Sequence, residues 1–128
     1  MGQSLSRSGD EGADRVKESL VVSACIQWLY LHGCDVIRNN TGAFKSIYQR
    51  KDGTTGVAWV RTGKKGSGDV LACSPHGRWI EVECKSDQGE QSPEQFQRQV
   101  AIEARGGIYV LARSTDDLEA RKADIIGA

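Results

Sequence analysis

Asp69, Glu83 and Lys85 have types and spacing that could do chemistry together. Asp69–Cys73 and Trp79–Lys85 read as strands joined by Ser74-Pro-His-Gly-Arg78. A turn centred on His76 would make them antiparallel and set Asp69 opposite Glu83 and Val70 opposite Val82. Directly opposed residues have Cβ atoms only about 4.5 to 5.5 Å apart, and like charges there repel unless a cation lies between them. A divalent metal would supply that cation. In Ile80-Glu-Val-Glu-Cys-Lys85 the strand period puts Ile80, Val82 and Cys84 on a core face and Glu81, Glu83 and Lys85 on the other. Lys85 is then one pleat from Glu83, where its ammonium could meet a metal-bound water or a phosphate oxygen. A lone Glu-x-Lys on a strand is more often a solvated outer face. The opposed Asp69 favours the metal reading.

These residues need elements to hold them. Asp14–His32 predicts a helix, with Asp14 as N-cap, Val21, Cys25, Trp28 and His32 at helical spacing, and Gly33 as the stop. Glu18 shares a line with Val22, Cys25 and Leu29, so its carboxylate points toward the core side. An acid in the first helical turn also complements the macrodipole, which is the structural alternative. Cys34–Arg38 predicts a short strand, Asn39-Asn40-Thr-Gly42 a turn, and Phe44–Gly56 an extended basic excursion. Asp52-Gly53 signals a hairpin pairing Ile47–Arg50 with Val57–Arg61. The loop Thr62–Gly68, with three glycines and two lysines, could let backbone and ammonium groups approach phosphates or could simply connect strands. Ser92-Pro-Glu-Gln95 opens a helix as a capping box, a role that asks nothing more of Gln95. Phe96, Val100 and Ala104 are its expected buried stripe, and Gly106-Gly107 end it. Ile108–Ala112 reads as a strand and Thr115–Ile125 as a last helix capped by Ser114 or Thr115.

Composition bounds the class. With 128 residues, 38% hydrophobic and 27% charged, the chain fits one soluble domain and excludes a collagen-like repeat, a wholly disordered chain and a membrane span. Residues 1–13, rich in Ser, Gly, Gln and charge, read as a disordered tail without a secretory signal, leaving 14–128 as the domain. The formal net charge is zero, but Arg38–Lys85 holds nine Lys or Arg against four acids, so the middle is +5 and the flanks −5. Such a middle either presents a cationic face to a polyanion or is a solvated surface. Cys25, Cys34, Cys73 and Cys84 fall singly, without zinc-site spacing, and imply reduced thiols and a cytoplasmic location. A phosphate-binding P-loop reading of Gly63–Gly68 fails for want of Gly-Lys-Ser/Thr at the required distance.

The order helix, strands, helix, strand, with Gly68-Asp69 followed fourteen positions on by Glu83-Cys-Lys85, resembles the PD-(D/E)XK nuclease superfamily. More narrowly it resembles the virus-type replication-repair nuclease (VRR-NUC) family, in its small stand-alone phage form. The likeness spans about Glu18 to Asp117. It runs through Arg38-Asn-Asn-Thr-Gly42, Lys65-Gly-Ser-Gly-Asp69, Ile80-Glu-Val-Glu-Cys-Lys85, Ser92-Pro-Glu-Gln95 and Gly106-Gly-Ile-Tyr-Val-Leu-Ala-Arg-Ser114. Each motif is weak alone, and the order and spacing together are specific. Gly68 departs from the pattern by standing where the superfamily has proline.

The resemblance implies an α/β, restriction-endonuclease-like core: a central mixed sheet flanked by helices in the order αβββαβ. It implies Asp69, Glu83 and the Cys84 carbonyl as metal ligands, Lys85 orienting or activating water, and Glu18 and Gln95 as further catalytic residues. Mg²⁺ is the implied cofactor, with Mn²⁺ able to substitute, because it takes oxygen ligands and retains waters. Arg38, Asn39, Lys45, Arg50, Lys51, Arg61, Lys64 and Lys65 would track DNA phosphates. The implied activity is structure-selective cleavage of branched DNA such as four-way junctions. A DNA-binding module with little turnover, or a nuclease without junction preference, is the alternative, and RNA stays open as substrate. A homodimer would match the two-fold symmetry of a junction, with Val57, Trp59, Ile125 and Ile126 as candidate contacts.

Overall fold

The computed structural model describes residues 4–39 and 42–127, with side chains for all of these except 4–11, 14, 15, 42–44, 61 and 62. The chain runs through α1 (Ser4–Leu31), β1 (Asp35–Arg38), β2 (Gly42–Gln49), β3 (Thr55–Thr62), β4 (Val70–Cys73) and β5 (Trp79–Cys84). It continues with α2 (Pro93–Ala104), β6 (Ile108–Ala112), α3 (Asp116–Glu119) and α4 (Lys122–Ile126). Four strands form a mixed sheet in the order β1-β4-β5-β6, and β2-β3 form a separate two-stranded ribbon. Setting the ribbon aside leaves helix, three strands, helix, strand. β4 and β5 pair antiparallel with Val70 opposite Val82, the register expected from the sequence, and α2 carries the chain across to β6, parallel to β5.

Alternation along the strands builds the core. Val36, Val70, Ala72, Ile80, Val82, Cys84, Ile108, Val110 and Ala112 cluster on one sheet face with Val22, Cys25, Trp28 and Leu29 of α1 and with Leu118 and Ile125. Each fully buried aliphatic side chain there contributes about 1.5 to 3 kcal/mol of transfer free energy. Gly33 ends α1 at φ 85, while Trp28 Nε1 donates to Glu119 Oε1 at 2.9 Å and ties that end to α3. Among the described residues no helix is long and apolar enough to cross a membrane.

Four expectations change. α1 begins at Ser4, not at an N-cap Asp14, and so includes residues read as a tail. No proline interrupts 4–13, and once the packed half supplies the nucleus, each added residue gains a hydrogen bond. On α2, Phe96, Val100 and Ala104 are exposed, and the side turned toward the sheet carries Gln95, Arg98, Gln99 and Ile102 instead. The sheet face beneath carries carboxylates, which need donors more than hydrocarbon. The last helix is two short ones, because the segment breaks at Ala120-Arg121. Thr115 makes no side-chain cap; Ser114 Oγ accepts from Asp116 N at 3.1 Å and Asp117 Oδ2 from Arg113 N at 2.8 Å. Ile125 is fully buried and so is no surface contact.

Candidate active site

The β4–β5 register, carried one step past the ladder, sets Asp69 opposite Glu83. Asp69 is held at both ends of the residue: its carbonyl accepts from Asn39 N at 2.8 Å, and its Oδ2 accepts from Cys84 N at 2.8 Å. Gly68 explains how it gets there. A Cβ at residue 68 would stand 2.8 Å from Val82 O and 2.9 Å from Val82 N, so the loop can lie flat on β5 only with glycine. Gly68 N also donates to Glu81 Oε1 at 3.1 Å, a bond proline could not make. The departure from the superfamily pattern is therefore a packing requirement of this chain.

Glu83 is 5% exposed. Burial, then the neighbouring Asp69 carboxylate, push its carboxyl up to about 8, against the pull of Lys85. Lys85 Nζ stands 3.5 Å from Glu83 Oε1 and is itself largely buried. Gln95 caps the helix and also reaches Glu83. Its Oε1 accepts from Ser92 N at 2.8 Å, completing the capping box, and its Nε2 donates to Glu83 Oε1 at 2.7 Å. Glu18, half-buried on α1, reaches the turn after β5: a Cβ on Gly89 would lie 3.4 Å from Glu18 Oε1 and 3.1 Å from Lys85 Cδ. Arg113 Nη1 pins that turn by donating to Ser86 O and Gly89 O, both at 2.6 Å. Asp69, Glu83, Lys85 and Gln95 thus come together, with Glu18 beside Lys85.

On the charged face of β5, which Glu81 shares with Glu83, Glu81 is buried rather than solvated. It is 0% exposed and receives Arg98 Nε at 3.1 Å, Arg98 Nη2 at 2.5 Å, Trp79 Nε1 at 2.7 Å and Gly68 N at 3.1 Å. Burial pushes its carboxyl up, and these donors together outweigh it and hold it below the usual range. Two glutamates one pleat apart therefore have opposite environments: Glu81 is saturated by donors, Glu83 is left short of positive charge. Sequence reasoning missed Arg98, although its place three residues after Gln95 on one helical face was a signal. It also missed Tyr109, in register with Glu81 on β6, whose buried hydroxyl has no hydrogen-bond partner among the described residues.

The donor set fits a hard divalent cation. Asp69 and Glu83 offer oxygen ligands, and their repulsion leaves the pair in need of charge. No group of three or more His, Cys, Asp or Glu side chains forms a metal cage among the described residues, so such an ion would keep several waters, as Mg²⁺ does. The thiols are placed differently. Cys25 and Cys84 are buried neighbours, and the nearby Cys25 thiol with burial holds Cys84 well above the usual thiol range. Cys34 is buried, whereas Cys73 is exposed.

The expected phosphate-tracking residues divide. Arg38, Lys45, Lys51 and Lys64 are exposed. Asn39 is a positioning residue: its Nδ2 donates to Ser67 Oγ at 2.8 Å and to Gly68 O at 2.9 Å, fixing the loop before Asp69. Arg50 braces the hairpin turn through Thr55 O at 2.9 Å, and Lys65 pairs with Glu94 at 3.4 Å. The Arg61 side chain and residues Asn40 and Thr41 of the expected turn lie outside the described residues. A cavity of about 280 Å³, lined by Trp79, Arg98, Ile102, Arg105 and Gly107, lies on the Glu81 side and includes none of Asp69, Glu83 or Lys85.

Fold and site together define a mixed α/β protein with an acidic pair, Glu83 buried and Asp69 half-buried, beside a lysine. No family model, no curated protein and no solved structure matches the chain.

Proposed function

We propose that the chain is a Mg²⁺-dependent endonuclease of the VRR-NUC kind, with a restriction-endonuclease-like core, acting on branched DNA such as four-way junctions. The observation that carries this reading is the opposed Asp69–Glu83 pair with Lys85 at 3.5 Å, on a strand whose other acid, Glu81, is neutralised by Arg98. Asp69, Glu83 and the Cys84 carbonyl would hold the ion. When bound, Mg²⁺ or Mn²⁺ supplies a nucleophilic water at neutral pH and stabilises charge on the phosphoryl oxygens.

The protein's own groups do the rest. Lys85 places an ammonium where a water or phosphate oxygen approaches Glu83. Gln95 holds the Glu83 carboxylate in one orientation through its 2.7 Å bond, and the Cys84 N–H does the same for Asp69. Glu18 and the Lys85 stem flank Gly89, which places a further carboxylate on the lysine side of the site. Exposed Arg38, Lys45, Lys51 and Lys64 would track the backbone, with Arg61 and Lys65 on the same stretch of chain.

A homodimer suits a junction with two symmetry-related strands to cut. Ile37 and Trp79, exposed and lining one shallow hollow with Leu71, can supply its contact. The test is incubation with Mg²⁺ or Mn²⁺ and linear, flap, splayed and four-way DNA and RNA, with Asp69→Asn as control. Selective junction cleavage lost in the control is expected. Binding without cleavage would leave a DNA-binding module, and equal cleavage of every form a general nuclease.

A further inference from the structure

The β2–β3 ribbon pairs with no other strand among the described residues. An isolated two-stranded ribbon is marginal in water, so the way its two faces are finished is informative. One face is partly covered, with Tyr48 45% and Val60 39% exposed. The Tyr48 ring lies over Gly56, where a Cβ would have no room, and the Arg50 guanidinium sits 5.7 Å from the Tyr48 ring centroid. The other face is open. Register puts Lys45 opposite Trp59 and Ile47 opposite Val57, and there Ile47 is 68%, Val57 49% and Trp59 71% exposed. Side chains of this size and apolarity, contiguous on a projecting ribbon, mark a contact surface.

We propose that this face binds unpaired nucleic-acid bases at a branch, with Trp59 as the stacking platform and Ile47 and Val57 as the apolar floor beside it. Charge selects the occupant. The ribbon sequence 42–62 carries Lys45, Arg50, Lys51 and Arg61 against the single acid Asp52. Asp52, exposed at the hairpin turn, is engaged locally, accepting from Thr54 N at 2.9 Å and Thr54 Oγ1 at 2.6 Å. A second copy would bring the same cations against these. A polyanion whose bases are unstacked offers negative charge and flat apolar faces together, and every base has a face that an indole can stack on. A continuous duplex keeps those faces covered.

Both ends of the ribbon lead to the acidic pair. β2 begins three positions after Asn39, whose side chain fixes Ser67 and Gly68, and β3 leads through Gly63–Gly68 into Asp69. Trp59 is three residues from the ribbon's base at Thr62, about 10 Å along a strand. Bases held on this face would therefore register a branch beside the candidate site. The inference rests on the proposed nuclease reading for the position of the cut, and on the ribbon alone for the binding.

The experiment measures fluorescence anisotropy of a labelled continuous DNA duplex and of a splayed duplex of equal length with unpaired arms, in Ca²⁺, for the parent, Trp59→Ala, Trp59→Phe and Lys51→Ala. Trp59→Ala should weaken binding of the splayed probe roughly tenfold and of the continuous duplex less than twofold, while Trp59→Phe retains most of the affinity. Lys51→Ala should weaken both alike. Trp59 is exposed, so its melting temperature serves as a folding control. Equal losses on both probes, or none, would overturn the proposal, as would a fall in light-scattering mass with DNA affinity unchanged, which would assign the face to a second copy. The same splayed probe in Mg²⁺ separates the two readings. Parent cleavage with a Trp59-independent affinity sinks the ribbon inference alone, and Trp59-dependent binding without cleavage sinks the nuclease reading alone.

Discussion

Replacing Arg98 with methionine should be the most destabilising polar change in the protein. Glu81 is 0% exposed, and among the described residues Arg98 gives it two of its four hydrogen bonds and its only paired positive charge. Removing one partner of such a buried pair costs about 3 to 5 kcal/mol, because a charge is left without compensation. For a domain of this size that is roughly 10 to 20 °C in melting temperature. The pH dependence makes the test specific. In the parent, Glu81 is held below its ordinary value, so its contribution is present above the unfolded carboxyl range and lost as pH falls through the folded one. Without Arg98, burial is the larger influence and the sign reverses: the variant's Glu81 takes up a proton more readily folded than unfolded. The gap between parent and variant should therefore be widest near pH 8 and narrow toward pH 5. The double variant Arg98→Met with Glu81→Leu should recover much of the loss, since both charges are gone. Thermal unfolding followed by circular dichroism across this pH range measures all three. A single variant melting within about 2 °C of the parent at pH 8, or a gap that does not change with pH, would refute the reasoning.

Asp69→Asn and Glu83→Gln should each abolish cleavage while keeping the fold. Glu83 binds its proton more tightly folded than unfolded, from 4.5 to about 8, so the stability it contributes is full below pH 4.5 and lost as pH rises through about 8. In EDTA, Glu83→Gln should thus gain on the parent between pH 5 and 9, by on the order of a few kcal/mol, as read by denaturant melts; parallel profiles would contradict the crowded-pair account. Lys85→Met should bind Mn²⁺ by calorimetry yet lose at least about 100-fold in turnover, and unchanged turnover would leave Lys85 a structural neighbour of Glu83. Gln95→Glu keeps an oxygen for Ser92 N but replaces the donor to Glu83 with an anion. Its melting should stay near the parent's in acid while cleavage falls sharply, and full activity would reduce Gln95 to its cap.

How much of this was legible depends on which physical signal each residue obeys. Register was readable because a turn centred on His76 and a period of two leave one pairing for Val70 and Val82, and that pairing carries Asp69 to Glu83. The capping box at Ser92 was readable because its chemistry is local. The inward face of α2 was not, because apolar periodicity singled out Phe96 and Val100, whereas the helix turns toward the sheet according to what lies beneath it. There Glu81 and Glu83 need donors, and Gln95 and Arg98 meet that need at the expense of burying Phe96. Gly68 was read as a tolerated departure, and only the approach of the Val82 backbone makes it a requirement.

Charge placement joins the site to its surroundings. Of the four acids between Arg38 and Lys85, Glu81 is paired with Arg98 and Asp52 is bonded to Thr54 at the hairpin turn, while Asp69 and Glu83 stand opposed to each other with Lys85 paired to Glu83. The cations of the same stretch are mostly turned outward, Arg38, Lys45, Lys51 and Lys64 among them. A chain of zero net charge therefore owes its neutrality to acids on its flanks, while its middle offers a polyanion an attractive surface interrupted at one point. That point is the acidic pair. On the proposed nuclease reading, a phosphate drawn in by the surrounding lysines would meet repulsion there until a divalent cation reversed the sign, so the feature that makes the pair costly in isolation would also be what makes a divalent cation complete it.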